Sequence, residues 1–209
     1  MDPQVPTKGY RAEPMTDRWQ ESGVPRGADY DRRFEDLAAA GMDMHGEASL
    51  VACYEPDSVL DAGCGTGRVA IELSRRGFTV VGVDVDESML EAARAKAPEL
   101  TWVQGDLTDP GLDFGRTFDV VVMAGNVLIF VPHGTEGQVI ENAAKWLRPG
   151  GRLVTGYSLR PGADAFGPRR HDMAAARSGL VLEDRWSTWD KHPFTPADRY
   201  AVAVHRREI

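Results

Sequence analysis

The sequence predicts an α/β fold: a doubly wound, mainly parallel seven-stranded sheet that ends with an antiparallel C-terminal strand. Three observations carry this. Apolar runs of strand length recur along the chain with helical stretches between them, which is the pattern of strand, crossover helix and parallel strand. The first run, Val59-Leu60-Asp61-Ala62, leads directly into Gly63-Cys64-Gly65-Thr66-Gly67 and then into a helical stretch, so a tight glycine turn joins a buried strand to a helix. Near the C-terminus, two strand-like stretches at 181–189 and 199–207 are separated only by a turn around Lys191-His192-Pro193, which reads as an antiparallel hairpin.

Each element follows in order. Residues 1–27 carry Pro3, Pro6, Pro14 and Pro25 with few aliphatics, a composition that does not order itself alone and reads as a tail or a lid. Its aromatics, Tyr10 and Trp19, suit a segment that orders over a ligand. Residues 28–209 read as one domain. Asp29 is expected to cap a helix carrying Tyr30, Phe34, Leu37 and Ala38, with Gly41 as its stop, and a second short helix is expected over 44–54, ended by Pro56. After the glycine turn, Val69, Ala70 and Leu73 mark a helix that stops at Gly77, and 79–84 is the second strand. Asp86 is placed to cap a helix burying Met89, Leu90, Ala93 and Ala97, with strands at 100–106 and 118–124 beyond it. Thr135 and Gln138 have capping-box spacing before Val139, Ile140, Ala143, Ala144 and Leu147, a helix broken by Pro149-Gly150-Gly151. A fifth strand at 152–158, a loop at 160–168, a short helix at 171–178 and the hairpin complete the chain.

Composition narrows the function. A chain of 209 residues with 42% hydrophobic and 27% charged residues fits one soluble domain, and no run reaches the roughly 18 apolar residues of a membrane span. The first residues lack the basic and apolar parts of a secretory signal, so the expected compartment is the cytoplasm. A net charge of −8 disfavours nucleic acid as a partner. Cys53 and Cys64 have no metal-ligand spacing, and no metal is expected.

The chemistry lies in the spacing. A dinucleotide fingerprint places its third glycine where this chain has Arg68, one residue after Gly67. Asp61, Asp84 and Asp106 stand at or near the C-terminal ends of successive strands, which share one crevice in an open parallel sheet. Clustered carboxylates repel a pyrophosphate but suit a ligand with an ammonium group, ribose hydroxyls and an adenine amine. Taken singly, Asp61, Asp84 and Asp86 also read as caps and Gly105-Asp106 as a turn; their ordered spacing favours a shared ligand.

Four segments, 59–67, 83–90, 105–107 and 147–153, together resemble the class I S-adenosylmethionine-dependent methyltransferases, in register over about 59–158. The resemblance implies a Rossmann-like sheet, S-adenosyl-L-methionine as cofactor and a small-molecule methyl acceptor. It implies that Asp61, Gly63, Cys64, Gly65 and Gly67 surround the methionine moiety and that Asp84 holds the ribose. Gly105, Asp106 and Leu107 would hold the adenine between Val85 and Met89, and Ala124, Gly125 and Asn126 would pass near the transferred methyl. No general base is assigned. His45, His133 and Tyr30, with Arg33, are candidates to face the site, and each also fits a surface or packing role. Trp186 and Trp189 read as core or edge packing or, alternatively, as an aromatic wall for the acceptor. A protein that binds the cofactor without transferring methyl, and a nicotinamide oxidoreductase, are the competing readings.

Overall fold

The computed structural model describes residues 17–159 and 166–209, apart from the side chains of Asp17, Ala28 and Arg33. The proline-rich start up to residue 16, with Tyr10, and the 160–165 part of the expected loop lie outside the described residues.

The N-terminal layer comprises α1 (Asp17–Gln20), α2 (Gly27–Ala39) and α3 (Gly46–Ala52). The sheet then begins. β1 (Ser58–Ala62), α4 (Arg68–Arg75), β2 (Thr79–Asp84), α5 (Glu87–Lys96) and β3 (Thr101–Gln104) form the first half, and β4 (Phe118–Met123), α6 (Val127–Phe130), α7 (Glu136–Trp146) and β5 (Leu147–Ser158) the second. α8 (Pro168–Arg177), β6 (Leu180–Trp186) and β7 (Tyr200–Arg207) close the chain. The strand order is β3-β2-β1-β4-β5-β7-β6. β1 to β5 pair in parallel, whereas β7 inserts between β5 and β6 and runs antiparallel to both. The seven-stranded, mainly parallel architecture expected from the sequence is the one observed.

Burial explains the apolar runs. Every residue of β1 is buried, Asp61 included, and two apolar clusters cover the two faces of the sheet with Leu60 and Val121 in one and Val59 and Val120 in the other. A central parallel strand therefore has no polar face to alternate with. Strand order reverses between β1 and β4, so the crevice outside their C-terminal ends is the topological switch point where open α/β sheets bind ligands.

Several local expectations are corrected. Asp29 does not cap α2: the helix starts two residues earlier at Gly27, and Asp29 sits in its first turn paired with Arg32 at 2.6 Å. The Thr135–Gln138 capping box does not form. Thr135 Oγ1 donates to the Pro132 carbonyl and Gln138 to Asn142, while Glu136 accepts from the Gly134 amide instead. The chain after Asn126 is not simply a loop, because Gly125 and Asn126 both take left-handed backbone conformations that turn it into α6. The second N-terminal helix is shorter than 44–54, β6 ends at Trp186 rather than 189, and β5 starts at Leu147 with a register shift opposite Phe118–Val120. Asp86 does cap α5, accepting the Ser88 amide at 3.0 Å.

Candidate functional site

The glycine turn is built by backbone geometry. Gly63, Gly65 and Gly67 have φ of 78°, 54° and 83°, and the amides of Gly63 and Cys64 both donate to the Val83 carbonyl at the end of β2. A Cβ on Gly63 would stand 2.5 Å from Val127 Cγ2, so no larger residue fits against α6. The turn is tied to α2 from above: Thr66, buried, donates to Asp31, whose other oxygen accepts Lys96 at 2.6 Å.

Outside the strand ends lies a cavity of about 610 Å³. From the end of β1 it is lined by Asp61, Gly63, Cys64 and Gly65; from β2 and α5 by Asp84, Val85 and Met89; from the end of β3 by Asp106 and Leu107; from the end of β4 by Ala124, Gly125 and Asn126. Tyr30 lines it from α2. Thus the structure brings most of the sequence-derived residues onto one surface. Gly67 and Gly105 do not line it. Gly67 is the first-turn boundary of α4, where a Cβ would meet the Trp102 ring at 2.4 Å, and Gly105 lies against Leu112 with its amide bonded to the Asp84 carbonyl. Two candidates for a base are also elsewhere. His133 is exposed before α7, and His45 precedes α3 with Nδ1 at 3.8 Å from Glu72.

The carboxylates are in distinct states. Asp84 accepts the Gly65 amide at 2.7 Å on one oxygen and the Asp86 amide at 2.9 Å on the other. Burial raises its pKa, and these two amides pull it back. Asp61 is 1% exposed and accepts the Ala70 amide at 3.0 Å. Burial pushes its pKa up to about 7, with the Ala70 amide and the Arg68 charge opposing the rise and Asp84 adding to it. Burial likewise pushes the Cys64 thiol up, which keeps it protonated. Asp106 accepts the Thr108 amide and hydroxyl on a single oxygen, at 2.8 and 2.7 Å, so a turn and a cavity wall are made by the same residue.

Sequence reasoning singled out Trp19 as part of a segment that orders over a ligand but missed the rest of the opposite wall. Trp19, Val24, Phe34, Phe130 and Tyr200 line the cavity, as do Glu47 and Arg68. Arg68 grips Glu47 with both terminal nitrogens, at 3.0 and 2.5 Å, and also donates to the Met44 carbonyl. Burial disfavours its charge, but the Glu47 hydrogen bonds and carboxylate outweigh that and raise its pKa. Trp19 donates to Asp86 at 2.8 Å, Arg26 pairs with the same carboxylate at 2.9 Å, and the Arg26 guanidinium stacks 3.7 Å from the Trp19 ring centroid. The presence of Arg68 at the fingerprint position and of an aromatic in the N-terminal segment were the signals available for this wall.

Among the described residues, His171, Asp172 and His205 are the one His/Asp group close enough together to hold a metal ion, and they do not line the cavity. The relevant Asp172 oxygen already accepts from Arg185 and from His205 at 3.1 Å. No helix among the described residues is long and apolar enough to cross a membrane.

A glycine turn at the switch point of a doubly wound sheet, ringed by strand-end carboxylates, defines the class to which known proteins were compared. The family model for a methyltransferase domain matches residues 59–151. A ubiquinone biosynthesis O-methyltransferase of Vibrio parahaemolyticus is 30% identical over 141 residues, 58% of this chain and 59% of that protein, so the match spans less than two thirds of that relative. A dTDP-3-amino-3,4,6-trideoxy-alpha-D-glucopyranose N,N-dimethyltransferase of Streptomyces venezuelae is 32% identical over 176 residues, 79% of this chain and 72% of that protein. A crystal structure of a TehB-like SAM-dependent methyltransferase from Corynebacterium glutamicum superposes with a TM-score of 0.77 at 35% identity, covering 86% of this chain and 97% of that one. The chain belongs to the S-adenosylmethionine-dependent methyltransferase family.

Proposed function

We propose that this chain transfers the methyl group of S-adenosyl-L-methionine to a small-molecule acceptor. The observation that carries the reading is the convergence of Asp61, Asp84 and Asp106 with Gly63 and Gly65 on one cavity at the switch point. The donor set fits this cofactor and not a dinucleotide. Arg68 is the one basic side chain among the described residues lining the cavity, and its fork is held by Glu47, so nothing there neutralises a pyrophosphate. Asp84 would accept the ribose hydroxyls, and Val85 and Met89 would sandwich the adenine, with Asp106 and Leu107 at its edge. Asp61, Cys64 and the turn glycines Gly63 and Gly65 would surround the methionine. Gly67 and Gly105 would support this arrangement from behind the wall. Residues 17–26, fastened to Asp86 through Trp19 and Arg26, would cover the cofactor and exclude water.

When bound, the cofactor supplies a methyl group already activated by a sulfonium. The chain's own part is to hold the acceptor in line with that methyl and to exclude water, which Tyr30, Asn126 and the Phe34–Tyr200 wall are placed to do. A protonated nucleophile needs a base, a role we assign to the Tyr30 hydroxyl in the cavity wall, since both oxygens of Glu47 are held by Arg68. The relatives named above, an O-methyltransferase of ubiquinone biosynthesis and an N,N-dimethyltransferase of a dTDP-linked amino sugar, support a small-molecule substrate. Calorimetry with S-adenosylmethionine, S-adenosylhomocysteine and NADH, followed by mass-detected turnover over a metabolite panel, tests the proposal. Tight NADH binding with none of the sulfonium compound would overturn it, and binding without turnover of any acceptor would favour a non-catalytic role.

A further inference from the structure

A second cavity of about 340 Å³ adjoins the first. Phe34, Glu47, Arg68 and Tyr200 line both, so the two spaces share a wall. The second is built around Trp189. A Cβ on Gly156 would lie 2.2 Å from Trp189 Cζ2, and a Cβ on Gly46 would lie 3.2 Å from Trp189 Cβ, so two glycines from distant elements make room for this one side chain. The indole Nε1 donates to Tyr200 Oη at 3.3 Å, which holds the ring beside the shared wall. Trp186 and Trp189 both pack on the core, and Trp189 alone of the two also lines this second cavity.

The charges in this chamber are unequal. Asp43, Glu47 and Asp190 face Arg68 alone. Both terminal nitrogens of Arg68 are already engaged by Glu47 and Met44, so the guanidinium offers no second fork to a carboxylate or phosphate. The faces of Trp189 and Tyr200 accept a flat apolar body and also attract a cation, and Phe34 bounds the space with the Arg68 guanidinium already 4.8 Å from its ring centroid.

We propose that this chamber holds the body of the methyl acceptor, and that the acceptor is a compact amine. Its flat or apolar part lies against Trp189 and Tyr200, and its nitrogen reaches past the Arg68–Glu47 pair to the methionine end of the larger cavity. The inference rests on the methyltransferase reading. In the transfer, an amine nitrogen that has first given a proton to solvent attacks the methyl carbon. The N–C bond forms as the C–S bond breaks, the positive charge passes from sulfur to nitrogen, and S-adenosylhomocysteine leaves.

The test uses the full chain saturated with S-adenosylhomocysteine and three matched probes, 2-phenylethylamine, 2-phenylethanol and 3-phenylpropionate. Affinity is read by calorimetry and by the Trp189 indole N–H resonance. The expected order is amine, alcohol, carboxylate, with the amine favoured over the alcohol about tenfold. Trp189→Ala should weaken the amine about tenfold and leave S-adenosylhomocysteine affinity within about twofold. Asp190→Asn, an exposed change that spares the core, should reduce the preference for amine over alcohol without moving the cofactor product. An alcohol or carboxylate that matches the amine, or no response of Trp189 to any probe, overturns the inference while leaving the cofactor site standing. Failure to bind S-adenosylhomocysteine overturns the methyltransferase reading itself.

Discussion

Replacing His171 by Phe should remove a contribution to stability that is lost as pH falls. His171 is fully buried on the inner side of α8, stacked on Tyr157 at 5.1 Å between ring centroids, with Nε2 2.9 Å from Thr155 Oγ1. Burial, with the neighbouring His205, lowers its pKa from 6.5 to about 3, so it stays neutral in the fold. The unfolded chain binds a proton at this residue below its ordinary pKa while the native state does not, and stability therefore falls as pH falls below that value. Between about pH 7.5 and about pH 5 the loss is about 2 kcal/mol. Asp61 works in the opposite sense. Its folded pKa of about 7 lies above the unfolded value, so its contribution is present at low pH and drops by about 2–3 kcal/mol over the same interval as pH rises. The two slopes nearly cancel in the wild type, so the quantity to measure is the difference between the wild type and the Phe variant. Phe keeps the stack on Tyr157, and Thr155 Oγ1 retains a long bond to the Ala203 carbonyl at 3.5 Å. Urea unfolding at each pH should show the variant gaining about 2 kcal/mol relative to wild type on going from pH 7.5 to about pH 5. A constant difference across that range would refute the assignment of a neutral buried imidazole.

Three further outcomes follow from the site. Asp84→Asn removes the charge proposed to face the ribose and places an amide donor against the Gly65 or Asp86 N–H; calorimetry should show S-adenosylmethionine affinity reduced by about 1–3 kcal/mol, and an unchanged affinity removes Asp84 from the site. Gly63→Ala introduces a Cβ 2.5 Å from Val127 at a φ of 78°. Thermal unfolding should register a loss of about 1–3 kcal/mol, of which Val127→Ala restores the steric part but not the backbone part. Asp86→Ala releases Trp19 and Arg26 and also uncaps α5. Hydrogen exchange should quicken over 17–26 more than over α5, where Ser88 also loses its cap; equal rates in wild type and variant would show that Asp86 does not fasten the segment.

What was legible in the sequence followed from physics local to the chain. β1, β2 and β4 are mainly apolar because both of their faces are largely covered, and the carboxylates near the ends of β1 and β2 stand out for the same reason. Cap chemistry was less legible because tertiary partners compete for it. At the start of α7 it is Glu136, the residue after Thr135, that is engaged, accepting from Arg18 of the N-terminal segment at 3.1 Å and from the Gly134 amide. α6 is four residues long, too short for any periodicity, and is set by two left-handed residues before it. The far wall of the cavity is assembled from Trp19, Phe34, Phe130 and Tyr200, which are far apart in the chain. Nothing in their local sequence announces that they share a surface.

The displaced third glycine links these features. In the dinucleotide pattern that glycine permits close packing of helix on sheet. Here the close approach occurs one residue earlier, where Trp102 fills the space beside both Gly67 and Gly82, with would-be Cβ contacts of 2.4 Å at each. Position 68 is thereby released from that constraint and carries a long side chain. Arg68 turns toward α3, closes on Glu47 and becomes the wall between the two cavities. The single-residue shift that sets this turn apart from the dinucleotide pattern therefore also places the Arg68–Glu47 pair between the two cavities, on the route of the proposed acceptor.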